Sequence, residues 1–92
     1  MAPVLRIAPE WECWPIWDHE TGDNFDPNDL GLPSGLAARI VDWDNQFQAI
    51  FTRDDPVASD FPTPQARTAW RAEGDVLIDA LRAAGFAVVD RR

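Results

Sequence analysis

A small single α+β domain is what this sequence predicts, with an antiparallel helix pair packed on one face of a small sheet in the order β-β-α-α-β. Three observations carry that reading. Two segments repeat apolar residues at alternating steps of four and three, the spacing of one helix face. Short apolar runs stand near both ends, at Val4–Ala8 and Phe86–Val89. The 92 residues, 46% hydrophobic and 11% aromatic, suffice for one core and leave no room for a second domain, so 1–92 is read as one unit.

Val4 to Ala8 reads as a strand, with Pro3 and Pro9 as bookends that cannot sit inside a central ladder. Trp11 to Trp17 reads as a second extended segment. Alternation there would point Trp11, Cys13, Pro15 and Trp17 one way and Glu12, Trp14 and Ile16 the other. Pro15 lacks a ladder donor, which makes this an edge strand or an irregular extension. From Asp18 to Pro33 the composition turns to Asp, Asn, Gly, Pro and Thr, predicting a long connection without regular structure. Connections of that length in compact domains are often functional.

Ser34 is a suitable N-cap for a first helix reaching about Phe51, with Leu36, Ile40, Trp43, Phe47 and Ile50 on its apolar face. Arg39 and Asp42 lie at an i,i+3 spacing on the opposite side. Thr52 to Pro62 is a loop rich in Asp and Pro, and its Asp54-Asp55-Pro56 and Asp60-Phe61-Pro62 form a second acidic stretch. Thr63 followed by Pro64 starts a second helix, a strong signal because proline's missing N–H costs nothing in the first turn. Its stripe is Trp70, Gly74, Leu77, Leu81 and Ala84. Glycine in mid-helix is unfavourable by about 1 kcal/mol against alanine, so Gly74 is expected to admit a bulky neighbour such as Trp43. Gly85 closes the helix as a left-handed residue. Phe86–Val89 is the final strand, a candidate partner for Val4–Ala8.

The charge is unevenly placed. Sixteen carboxylates face eight basic residues, all of them arginine. Residues 1–60 hold twelve acids and three arginines, whereas residues 61–92 hold four acids and five arginines. No basic residue falls between Arg6 and Arg39. That interval holds Glu10, Glu12, Asp18, Glu20, Asp23, Asp26 and Asp29, together with Trp11, Trp14 and Trp17. A carboxylate and an indole face both attract Arg or Lys, so these ten residues are the candidate partner-binding set. Binding to nucleic acid or an anionic membrane needs a clustered basic face, and neither is expected. The reciprocal partner is a cationic protein.

A triplet of tryptophans can equally complete a core, and each indole taken singly suits that role. An i,i+3 step in an extended segment reverses the face, however, so at least one of the three is expected to be exposed. The Asp18–Asp29 segment offers oxygens for calcium, but counting from Asp18 puts Asp23 at the sixth position, where a calcium loop wants Gly. Asp29 then takes the place of the closing Glu. Turns made by Asp and Asn side chains explain the segment better, and no metal or other cofactor is expected. One histidine, His19, and one cysteine, Cys13, supply neither a zinc set nor a nucleophile–base motif. The five glycines are scattered, without a phosphate-binding loop. No catalytic residues are assigned and no enzyme is expected. The single cysteine excludes an internal disulfide. The opening residues lack a basic segment followed by a long apolar one, and no run is long enough to span a membrane, so a cytoplasmic location is expected.

Trp14-Pro-x-Trp17-Asp, then Asp26-Pro-x-x-Leu30-x-Leu-Pro-Ser-x-Leu36, then Asp54-Asp-Pro and Phe61-Pro-Thr resemble the pattern of small acidic bacterial proteins without an assigned activity. In size and charge the chain is similar to immunity proteins of bacterial toxin systems. That resemblance implies an immunity or antitoxin type of inhibitor, blocking a cationic surface or nucleic-acid-binding groove on a toxin or nuclease. Two other readings stay open: a small-ligand or metal-responsive module around the tryptophan segment, and an accessory subunit of a complex. The oligomeric state is not encoded in any pattern found.

Overall fold

The computed structural model describes residues 3–50 and 60–92. Its elements are β1 (Leu5–Ile7), β2 (Ile16–Asp18), β3 (Asn24–Phe25), a 3-10 turn (Pro27–Asp29), α1 (Leu36–Gln48), α2 (Pro64–Ala83) and β4 (Val88–Asp90). The α+β class holds, with one strand more than expected. The sheet runs β3-β2-β1-β4; β1 is antiparallel to β2, β2 antiparallel to β3, and β1 parallel to β4. The proposed pairing of the two terminal runs is therefore real.

Strand alternation sorts the sheet into two faces. Leu5, Ile7 and Ile16 are buried against the helices, with Phe25 and Val88 packed beside them. The register places Asn24, Trp17, Arg6 and Val89 in one row on the opposite face. From the helices the core receives Leu36, Ile40, Trp43, Trp70, Leu77, Ile78 and Leu81. The helices are antiparallel: Leu36 shares a surface with Ala83 and Ala84, Arg39 pairs with Glu73 at 2.7 Å, and Trp43 meets Trp70.

That last contact is a reciprocal clasp. The two indoles stack with centroids 4.5 Å apart and planes 5° from parallel. Trp43 Nε1 donates to the Trp70 carbonyl at 2.8 Å, and Trp70 Nε1 donates to the Trp43 carbonyl at 2.9 Å. Both buried donors are thus satisfied, which an indole core position requires. Gly74 makes room as expected, since a Cβ there would lie 2.9 Å from Trp43 Cζ2 and would strike the Arg92 guanidinium.

Several boundaries differ from expectation, each for a local reason. Residues 11–13 turn instead of extending, with Glu12 in a left-handed conformation at φ 62°. The alternation expected for Trp11–Trp17 therefore fails, and Pro15 and Ile16 are both buried. Pro15 lies just before β2 and leaves its ladder intact, so β2 is an inner strand and not an edge. The Asp18–Pro33 connection is partly ordered by β3 and the 3-10 turn. Gly35, not Ser34, precedes α1. It has φ 83° and makes no side-chain cap; the Leu36 N–H instead meets the Pro33 carbonyl at 3.1 Å. Thr63 does cap α2, its Oγ1 accepting from Ala66 N at 3.0 Å.

Beyond α2, Gly85 adopts φ 102°, Gly85 N bonds the Arg82 carbonyl, and Phe86 N bonds the Leu81 carbonyl. This is a complete Schellman closure. It consumes Phe86, so the last strand begins at Val88. Helix α1 ends at Gln48, short of the expected Phe51: Ala49 caps it, and residues 49–50 form a turn in which Ile50 N bonds the Phe47 carbonyl at 3.3 Å. Phe51 itself and the Asp54-Asp55-Pro56 stretch lie outside the described residues.

Candidate functional site

Two amide side chains from distant elements hold the tryptophan segment. Gln48, in the last turn of α1, accepts the Glu12 N–H at 2.8 Å through Oε1. Its Nε2 donates to the Glu10 carbonyl at 2.8 Å and to the Cys13 carbonyl at 3.3 Å. These bonds to main-chain atoms fix the 10–13 turn and hold Glu12 in its left-handed conformation. Asn24 on β3 does the same for Trp14: its Oδ1 accepts the Trp14 N–H at 3.0 Å, and its Nδ2 donates to the carbonyls of Trp14 and Ile16 at 2.8 and 3.1 Å.

The three indoles separate. Trp14 is 38% exposed. Trp11 is half-buried and stacked on Phe47 at 4.1 Å. Trp17 is half-buried on the outer sheet face, its Nε1 donating to the Ala8 carbonyl at 2.8 Å. One exposed indole in three is what the extended-segment argument required, although a turn, not alternation, produces it.

Around Trp14 lies a cleft of about 390 Å³ lined by Glu12, Cys13, Trp14, Asn24, Asp44 and Gln48. Asp44 is only 4% exposed. Desolvation pushes its carboxyl up to about 6, and the 3.3 Å hydrogen bond from Gln48 Nε2 opposes that rise only in part. The cleft is acidic, and among the described residues no arginine lines it.

On the other side of the same turn a larger cleft, about 740 Å³, is lined by Arg6, Glu10, Trp11, Cys13, Trp17 and Arg91. Strand pairing sets Arg6 opposite Trp17, with its guanidinium carbon 6.0 Å from the ring centroid. Arg91 enters because β4 pairs with β1. Past Trp11, Arg67, Arg71 and Arg92 continue this basic side beside Asp60. Arg67 pairs with Asp60, and Arg92 with Asp75 and Asp90. The Arg92 pairing holds the Asp90 carboxyl down at about 2.

The interval without basic residues is thus not a region without basic neighbours. Glu10, Trp11 and Trp17 share a cleft with arginines; Glu12 and Trp14 share one with Asp44. Of the remaining carboxylates, Asp18 and Asp26 serve turns. Asp18 Oδ1 accepts from the N–H groups of Glu20 and Thr21 at 2.8 and 3.1 Å, closing the β2–β3 connection that also carries exposed Glu20 and Asp23. Asp26 Oδ1 accepts from Asn28 N at 2.9 Å to cap the 3-10 turn that ends with Asp29. Among the described residues no group of three or more His, Cys, Asp or Glu side chains is placed to hold a metal ion. No helix there is long and apolar enough to cross a membrane.

Asp44, Gln48, Asn24, Arg6 and Arg91 were not in the candidate set. The first two carried a signal. Asp44 stands four residues after Ile40, and Gln48 four further on, which puts a carboxylate and an amide on the row of the apolar face.

A model of the Serratia CdiI immunity protein-like family matches residues 3–85. No curated protein matches the chain.

Proposed function

The chain belongs to the Serratia CdiI immunity protein-like family, and from that membership we propose that it is a non-enzymatic inhibitor that neutralises a toxin by binding it. The family match is the observation that carries this reading. The partner surface is cationic, such as a groove that would otherwise hold nucleic-acid phosphates. Support for that finer reading comes from an exposed indole on an acidic cleft and from the net charge of −8. Trp14 is the anchor, because an indole offers large area with few rotatable bonds. Glu12 flanks it. Glu10, Asp18, Glu20, Asp23, Asp26 and Asp29 contribute a long-range field that speeds encounter more than it tightens the final complex. Trp11 and Trp17 act at the margin of the contact.

Co-expression with a toxin encoded beside this reading frame tests the proposal. Growth should be restored, and the purified complex should form more slowly as salt is raised. Failure to protect against that toxin, with the protein folded and abundant, overturns the inhibitor reading. Protection with an association rate indifferent to ionic strength overturns the cationic surface alone.

A further inference from the structure

We infer that the cleft between Trp14 and Asp44 is a receptor for a single arginine side chain of the partner. This rests on the inhibitor reading above and names the chemistry that its central contact takes. Asp44 is almost wholly buried, and among the described residues its one side-chain hydrogen bond is the 3.3 Å contact from Gln48 Nε2. Asparagine at this position would keep a polar contact with Gln48 without burying a charge. A buried carboxylate left without a cation is unfavourable, and supplying one reverses much of that cost.

Among the described residues, the charged and titratable groups around α1 are Glu10, Glu12 and Cys13 on the turn, Asp26 and Asp29 by the 3-10 turn, Arg39 and Asp42 on α1 itself, and Arg67, Arg71, Glu73, Asp75, Asp79 and Arg82 on α2. Of these only Glu12 and Cys13 line the cleft with Asp44. Among the described residues no arginine lines the cleft. Its volume of about 390 Å³ admits a side chain, and its rim carries the exposed ring of Trp14. Arginine fits better than lysine. A guanidinium is planar, stacks on an indole face, and meets a carboxylate through two parallel hydrogen bonds. It is also the more weakly hydrated cation, which matters where the carboxylate is dry.

The test uses the isolated protein and Nα-acetyl-arginine amide, with Nα-acetyl-citrulline amide as the uncharged isostere. Nuclear magnetic resonance would follow the Trp14 indole N–H and the Asp44 carboxyl carbon during titration. Saturable shifts of both signals with the arginine compound, absent with citrulline and absent in Asp44→Asn, are expected. Affinity should fall roughly tenfold one pH unit below the Asp44 midpoint, because only the ionised carboxylate binds. No saturable shift, an equal response to citrulline, or an undiminished response in Asp44→Asn overturns the receptor. Asp44→Asn removes a buried charge and should fold; Trp14→Phe, which keeps a ring, provides a second variant that should retain weakened binding. No toxin takes part, so failure here leaves the co-expression result to judge the inhibitor reading separately.

Discussion

The two clefts flanking the 10–13 turn use the same residue types and reach opposite electrostatic character. Both contain a tryptophan and a glutamate from one short stretch, and Cys13 lines both. On one side α1 adds Asp44; on the other, β1 and the segment after β4 add Arg6 and Arg91. Sequence neighbours therefore do not set the sign of this surface. Strand register and helix docking do, by choosing which distant side chain stands beside each indole. The acid-flanked Trp14 is exposed to solvent, whereas Trp17 is committed to the sheet by its hydrogen bond and its arginine.

The largest expected effect strikes both clefts together. Trp43→Ala removes the helix clasp and should lower unfolding free energy by about 4 kcal/mol, read from urea denaturation. Survival of either cleft's geometry in that variant would mean the clefts do not share a frame. Next, Trp14→Ala and Trp17→Ala should divide cleanly. The former should weaken toxin binding by about 2 kcal/mol, roughly 30-fold, with little change in stability. The latter should cost about 2 kcal/mol of stability through lost packing and a lost hydrogen bond, with a smaller effect on binding. Calorimetry paired with denaturation distinguishes them, and equal behaviour would erase the contrast.

Asp44 supplies a pH signature opposite in sign to that of Asp90 on the basic side. Its pKa rises on folding from 3.8 to about 6, so the native state binds the proton more tightly than the unfolded chain. The associated stability is fully present below about 4 and is lost as pH rises through about 6. Its size is on the order of 2–3 kcal/mol. Asp44→Asn should flatten that window and be the more stable protein at neutral pH, as measured by urea melts across pH. The smallest effect belongs to the basic side: Arg6→Gln should cost about 0.5 kcal/mol, the value of a half-exposed cation–ring contact.

The architecture was legible wherever it depends on periodicity or on a cap. The stripe of α1 from Leu36 to Phe47 and that of α2 from Trp70 to Leu81, the Thr63-Pro64 start, the Gly74 approach to Trp43 and the Gly85 closure follow from side-chain size and backbone freedom near each position. Ile50 and Ala84 fall outside the helices, Ala84 being exposed, and buried Ile78 joins the core unforeseen. Strand β3 was not legible, since Asn-Phe has no alternation to detect and owes its place to the turn that Asp18 organises. Ser34 misled because a backbone turn from Pro33 can satisfy the first helical donor without any hydroxyl. The placement of the candidate residues was legible in part. Trp14 and Glu12 lie on the acidic cleft, but the grouping of Trp11 and Trp17 with a base-free surface broke down once Arg6 and Arg91 arrived through strand pairing. The bonds from Asn24 and Gln48 span up to 38 residues and join a side chain to main-chain atoms, so no local pattern encodes them.

That mode of attachment has a consequence for change over time. Gln48 grips the backbone of Glu10, Glu12 and Cys13, and Asn24 grips the backbone of Trp14. Neither clamp reads the identity of what it holds. The segment behaves as an interchangeable cartridge: its outward side chains can be exchanged one at a time while the mount stays put. On the proposed reading, in which this segment meets the toxin, a lineage confronted with a drifting toxin could rewrite its contacts there without refolding.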